Sequence, residues 1–134
     1  MARIEALEKL ASTGLLKQEP PSGEEIAGML RAAIVRLEDA RKTTNAPESR
    51  FDLAHNAAHA FSLAALRIHG YRTDKRYIVF QALPHTLGVD TADRIRRGGS
   101  VDEKLLRGLI DAALDLLNRV HALAESYGYL RPKT

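Results

Sequence analysis

Residues 49–71 read SRFDLAHNAAHAFSLAALRIHGY, and this stretch decides the fold class. Its apolar residues recur every three or four positions, which is the spacing that places side chains on one side of an α-helix. Many of them are alanines, so a neighbouring helix can approach closely. Gly70 lies two residues after Ile68 and favours the end of a helix. The stretch therefore predicts one long helix that packs tightly against others.

The opposite side of this helix is predicted to be polar. A helical wheel gathers its polar residues there, namely Asp52, His55, Asn56, His59, Ser62 and Arg67. At the start of the helix, Asn45 is the predicted N-cap and Pro47 occupies the first turn, where proline is tolerated. The helix should therefore present a continuous polar strip to solvent or to a partner.

The N-terminal part of the chain predicts two more helices. The first covers residues 2–12, and the segment KQEPPSG after it contains Pro20 and Pro21, which prevent helix continuation and make a stiff connection. The residues SGEE at 22–25 then form a capping-box pattern, which predicts an amphipathic helix that runs to about Lys42.

The C-terminal part predicts a fourth helix, which is the third of the main helices, and a last helix. Thr73 or Asp74 caps the fourth, which contains Tyr77, Ile78, Phe80, Gln81 and Leu83. A connector at 90–99 follows, with a basic cluster formed by Arg94, Arg96 and Arg97. A second capping box, SVDE at 100–103, begins a helix that runs to about Tyr127.

Composition supports an all-α protein with one core. The chain has 134 residues, 45% of them hydrophobic, and it is rich in alanine and leucine but poor in aromatic residues. Short connections between amphipathic helices favour antiparallel neighbours. We therefore expect an N-terminal helix with a proline-containing connector at 1–21 and, at 22–134, an up-and-down bundle of four main helices.

Charge and cysteine content limit the function classes. The net charge of +3 and the pI of about 9.4 are compatible with nucleotide or nucleic-acid partners. The absence of cysteine excludes disulfides, a thiol nucleophile and thiolate zinc sites. No leader pattern and no apolar run of about 20 residues is present, so we expect a cytoplasmic protein without a membrane span.

The histidine pair HNAAH could bind a metal. His55 and His59 lie one helical turn apart, and Asp52 lies one turn before His55. A second helix would have to add a ligand, for which His85 or His121 are candidates, and no glutamate general base stands between the histidines. The alternative is that these residues face water or a subunit interface.

Basic groups gather at the end of the same helix, where they have two interpretations. They are Arg67, His69, Arg72, Lys75 and Arg76. Positive charge stabilises the C-terminus of a helix through its dipole, and the same charge could bind a phosphate or an acidic partner. No glycine-rich phosphate loop and no nucleophile motif accompanies them.

Residues 49–88, which end RIHGYRTDKRYIVFQALPHTLG, resemble the central two helices of bacterial HEPN-domain proteins. The segments AAIVRLEDARK and VDEKLLRGLIDAALDLLNRVHAL resemble the helices before and after them. This resemblance implies a helical bundle that usually dimerises, is often encoded beside a minimal nucleotidyltransferase, and in many members is a metal-independent endoribonuclease or toxin.

In active members of that family, an arginine is followed by a histidine after four to six residues. Arg50 and His55 fit this spacing, but they lie at the start of the third helix, whereas the family motif comes later. The later segment, VDTADRIRRGGSVDE, is short and has no histidine at the required distance. The resemblance therefore implies a non-catalytic member.

The sequence thus predicts a HEPN-like binding module that needs no cofactor. It would form a homodimer and engage a nucleotide, RNA or a nucleotidyltransferase-like partner, in a toxin–antitoxin type of context. The candidate ligand-binding residues are Arg50, His55, Asn56, His59, Arg67, Arg72 and Arg76. The alternatives are a ribonuclease that uses Arg50 and His55, and a metal-binding bundle enzyme that uses Asp52, His55 and His59.

Overall fold

The computed structural model describes residues 2–75, 78–79, 82 and 103–129. These residues are mostly helical, which confirms the expected all-α class at this level. The elements in chain order are α1 (Ala2–Ser12), β1 (Lys17–Gln18), α2 (Gly23–Ala40), α3 (Pro47–Ile68), β2 (Tyr71–Arg72) and α4 (Glu103–Ser126).

The starts of α2 and α3 follow the sequence signals with one exception. Ser22 caps α2 as predicted, because its Oγ accepts a hydrogen bond from the Glu25 N–H at 3.3 Å. Pro47 begins α3 as predicted. The prediction that Asn45 caps α3 is wrong, because Ala46 occupies that position and the Asn45 amide instead donates to the Asp39 carbonyl at 3.0 Å.

The main core lies where α2, α3 and α4 meet. All the alanines of α3 except Ala60 are fully buried there, together with Phe61 and with leucines and isoleucines from α2 and α4. Contacts at the helix ends fix the directions: the start of α3 reaches the end of α2, and the end of α3 reaches the start of α2. The two helices are therefore antiparallel.

A smaller core covers the other side of α3. Leu7 of α1 and Leu16 pack with Leu66 and Tyr71, and Ile78 and Ala82 complete the cluster. These last two belong to the predicted fourth helix, most of which lies outside the described residues. Helix α3 is thus covered on two sides, which explains why so much of it is buried.

A short sheet holds the segment after α1 against the end of α3. Strand β1 pairs antiparallel with β2, with Lys17 opposite Arg72 and Gln18 opposite Tyr71. Gly70 has a φ of +88°, which turns the chain at the end of α3, and its carbonyl accepts from the Glu19 N–H at 2.9 Å. The sequence predicted only a stiff connector here, so this pairing is new.

Several predictions lie outside the described residues, namely those for Arg76, His85, the 90–99 connector and the Ser100 cap. The last helix, α4, is described from Glu103 and ends at Ser126, close to its predicted end at Tyr127. In the parts of the chain that are described, no helix combines the length and the apolar character needed to cross a membrane.

Candidate functional site

Arg67 is buried at the end of α3, with 2% of its surface exposed. The helical wheel placed it on the polar, accessible side of α3, and that placement is wrong. Its Nε donates to the Glu25 carboxylate at 2.7 Å, and Nη1 donates to the carbonyls of Glu19 and Tyr71 at 3.2 and 3.3 Å. Its Nη2 donates to the Pro20 carbonyl at 3.0 Å and pairs with the Glu19 carboxylate at 3.2 Å.

These contacts match the donor capacity of a guanidinium group, which has about five N–H bonds in a rigid fork. They join the segment before α2, the first turn of α2 and strand β2 to the last turn of α3. A buried arginine is stable only when its charge and its donors are satisfied, and here both conditions are met. Arg67 is therefore a structural clasp that joins these segments.

Arg72 lies on the same two carboxylates but faces outward. Its Nε is 2.8 Å from Glu19 and its Nη2 is 3.4 Å from Glu25, while 49% of its side chain is exposed. We call Glu19, Glu25, Arg67 and Arg72 the Arg67 cluster. Its two positive and two negative charges cancel, so the carboxylates hold both guanidinium groups in place without a large net charge.

Glu25 is shared between the cap of α2 and the Arg67 cluster. Its N–H donates to Ser22, but its carboxylate binds Arg67 instead of turning back to complete the capping box. The hydrogen bond from Arg67 lowers the pKa of Glu25, partial burial opposes this shift, and the positive charges of Arg67 and Arg72 reinforce the lowering.

We expect Glu25 to stabilise the protein at neutral pH and to lose this stabilising effect in acid. Because its pKa is lower in the folded than in the unfolded chain, the ionised carboxylate stabilises the fold above the unfolded pKa, and this contribution is lost as the pH falls through the folded pKa. The free-energy difference between wild type and Glu25→Gln, measured by urea denaturation, should therefore shrink below pH ~4.

Glu24→Gln is the matched control, because it makes the same charge change at an exposed neighbouring position. Its difference from wild type should be smaller than that of Glu25→Gln at neutral pH. A gap between wild type and Glu25→Gln that widens on acidification would contradict the assignment.

An open cleft of about 610 Å³ lies beside the Arg67 cluster. Met29 of α2 and Leu63 of α3 give it an apolar lining, and the polar lining residues are Lys17, Glu25, Arg67, Arg72, Thr73 and Asp74. Lys17 and Arg72 are directly opposed in the two-stranded sheet, so their side chains project from the same face. The cleft therefore combines two exposed cations with an apolar surface.

The other predicted binding residues lie elsewhere on α3. Arg50 is 8% exposed and its Nε donates to the Ala40 carbonyl at 2.7 Å, where it caps the end of α2. His55 is partly buried and its ring stacks on Phe51 at 6.3 Å, while Asn56 is exposed and His59 is partly buried. His55 lies about 18 Å from Arg67 along the helix axis. The predicted set thus divides between the two ends of α3.

Arg50 and His55 differ in direction and in exposure. Five positions along an α-helix correspond to a rotation of roughly 140° between their side chains, so they point to different sides. The Arg50 guanidinium is also buried against α2. This geometry favours the non-catalytic interpretation of the pair.

The metal alternative gains no support from the part of the chain that is described. No group of three or more histidine, aspartate or glutamate side chains that could hold an ion occurs there. His121 pairs with Glu125 on its own helix, with 3.0 Å between Nδ1 and Oε1. His85 lies outside the described residues.

Sequence reasoning missed most of the cleft. It identified Arg67 and Arg72 but not Lys17, because strands of two residues carry no detectable periodicity. It also did not assign Met29 or Leu63 to a site, because an apolar residue on a helix is indistinguishable from a core residue in sequence. Comparison with protein-family models, curated proteins and solved structures finds no match to this chain. The candidate site therefore rests on its own geometry.

Proposed function

We propose that this chain is a non-catalytic binding module whose cleft holds the phosphate of a nucleotide or an RNA strand. The supporting observation is the exposed Arg72 guanidinium, fixed by Glu19 and Glu25 beside Lys17 and next to the apolar Met29 and Leu63. A guanidinium group carries about five N–H donors, more than the two carboxylates engage, so Arg72 can also donate to a phosphate oxygen, and lysine adds a second cation.

Preorganisation is what makes this cleft suited to binding. A free arginine loses side-chain entropy when it binds, whereas Arg72 is already held by two carboxylates. The apolar lining can cover the ribose or base, which a phosphate site alone would not do. The non-catalytic part of the proposal is supported by the burial of the Arg50 guanidinium, which donates to the Ala40 carbonyl.

The wider proposal is a HEPN-like bundle that acts in the cytoplasm. The ring contact between His69 and Tyr127 puts the C-terminal ends of α3 and α4 together, so these two helices run in the same direction. A helix over 73–83 that returns along α3 would complete an up-and-down bundle of four. Homodimer formation and a nucleotidyltransferase-like partner in a toxin–antitoxin context remain part of this proposal.

We expect Arg72→Ala to weaken RNA binding by about tenfold, because one charge-assisted phosphate contact is lost. The measurement is fluorescence anisotropy with a short labelled oligouridylate over a range of salt concentrations. For a single strand, the slope of log affinity against log salt should fall by roughly 0.7 for each lost phosphate contact. Lys17→Ala should act in the same direction.

Arg119→Ala is the matched control. Arg119 is 46% exposed and pairs with Asp115, so it resembles Arg72 in exposure and pairing but lies on α4 away from the cleft. An equal loss in both variants would indicate non-specific attraction and contradict the proposal. Failure of wild type to bind RNA and mononucleotides would also contradict it, and cleavage of the RNA in a chelator would contradict the non-catalytic assignment.

A further inference from the structure

Helix α4 ends in a pair of tyrosines that a glycine turn brings together. Gly128 has a φ of +79°, its N–H donates to the Glu125 carbonyl at 3.0 Å, and the Tyr129 N–H donates to the Ala124 carbonyl at 2.9 Å. These two hydrogen bonds form a Schellman motif, which reverses the chain at the helix end. Tyr127 and Tyr129 therefore lie side by side.

The two rings form a small stack with an inner and an outer member. Their centroids are 6.3 Å apart with 12° between the ring planes, and the His69 ring meets Tyr127 edge-on at 5.9 Å. Tyr129 packs against the main core beside Gly23. Tyr127 is 51% exposed, so the stack is anchored on one member and open to solvent on the other.

Packing against the described residues leaves about half of Tyr127 exposed. Tyr127 and Val35 are the large apolar side chains with the greatest exposure in the described part of the chain. A half-exposed aromatic ring, held in a fixed orientation by a parallel ring and an edge-on ring, is suited to receive another planar group.

We propose that Tyr127, supported by Tyr129 and His69, is a stacking platform for an unpaired base of single-stranded RNA. This inference rests on the proposed function and makes it more specific, because it selects a strand over a free mononucleotide. The strand would place one phosphate at Arg72 and stack a neighbouring base on Tyr127.

The spacing is compatible with such a strand. His69 touches Tyr127 and precedes Arg72 by three residues, so the Cα atoms of His69 and Arg72 are at most about 11 Å apart. Tyr129 lies at Gly23, in the first turn of the helix that carries Glu25 of the cleft. Aromatic stacking next to cations that bind the backbone is the usual combination in proteins that bind single strands.

The test compares Tyr127→Ala with Tyr127→Phe in full-length protein. An oligouridylate, a strand of equal length that lacks bases, and a duplex serve as ligands. We expect Tyr127→Ala to bind the oligouridylate on the order of tenfold more weakly, and Tyr127→Phe to bind close to wild type, because phenylalanine keeps the ring. Val35→Ala, at the other exposed apolar position, should have no effect.

The abasic strand and tyrosine fluorescence give independent readouts. Wild type and Tyr127→Ala should bind the abasic strand equally, and the oligouridylate should quench the tyrosine emission of wild type, since the chain has no tryptophan to obscure it. If Arg72→Ala weakens RNA binding but Tyr127→Ala does not, the platform is overturned while the proposed function stands. If Tyr127→Phe loses as much as Tyr127→Ala, the hydroxyl and not the ring is responsible, which also overturns it. If wild type binds no RNA or nucleotide, both fail.

Discussion

Replacing Arg67 with methionine should lower the free energy of unfolding by about 3 kcal/mol. Methionine fills much of the same space but offers no hydrogen-bond donors, so the carbonyls of Glu19, Pro20 and Tyr71 lose their partner. The carboxylates of Glu19 and Glu25 lose one of their two arginine partners, but they keep Arg72 and are 43% and 35% exposed, which limits the cost. Urea denaturation followed by circular dichroism measures this loss.

Two further variants, one of an exposed arginine and one of Arg67 itself, test whether the lost hydrogen bonds cause the loss of stability. Arg119→Met removes the exposed ion pair between Arg119 and Asp115, one helical turn apart, and should change the free energy of unfolding by no more than about 0.5 kcal/mol. Arg67→Lys keeps the charge but replaces the fork with a single ammonium, so it should recover only part of the loss. A loss at Arg67→Met no larger than that at Arg119→Met would show that the clasp contributes little.

Replacing Phe61 with alanine should cost about 3–5 kcal/mol in the free energy of unfolding. Phe61 is completely buried in the main core, one turn from Ala57, Ala58, Ala64 and Ala65, which are also completely buried. Because alanine side chains cannot extend into the vacated space, the cavity is expected to persist, and the cost should lie in the upper part of the range for such substitutions.

Phe51→Ala is the control for this prediction. Phe51 lies on the same helix and borders the same core, but it is only partly buried. Its replacement should therefore cost less than half as much, and thermal and urea denaturation should agree on the order. Equal losses would mean that helix propensity, and not cavity formation, determines the result.

The helices could be predicted because their signals are local. Ser22, Pro47 and Gly70 mark their ends within one turn, and the apolar periodicity of α3 identifies its buried side. The prediction that Asn45 is an N-cap is wrong because an asparagine between two helices can hydrogen-bond to either of them. Its side-chain amide donates to the Asp39 carbonyl at the end of α2 and does not cap α3.

The site depends on contacts that no local pattern records. Arg67 receives its partners from Glu19, Pro20 and Glu25, which precede it by 42 to 48 positions. A helical wheel treats an arginine as polar and therefore exposed, whereas its real position depends on acceptors that the rest of the fold supplies. The pairing of Lys17 with Arg72 has the same origin.

The pairing of β1 with β2 changes what the smallest working unit of this protein must contain. The sequence predicts that residues 1–21 form an N-terminal helix and a connector outside the main helical bundle. In the structure they provide Lys17 to the cleft and Glu19 to the Arg67 cluster, and they cover Leu66 with Leu7 and Leu16. A fragment that begins at Ser22 would keep all the helices of the main core. It would nevertheless lack Lys17 of the cleft and Glu19, which is one of the two carboxylates that hold Arg72.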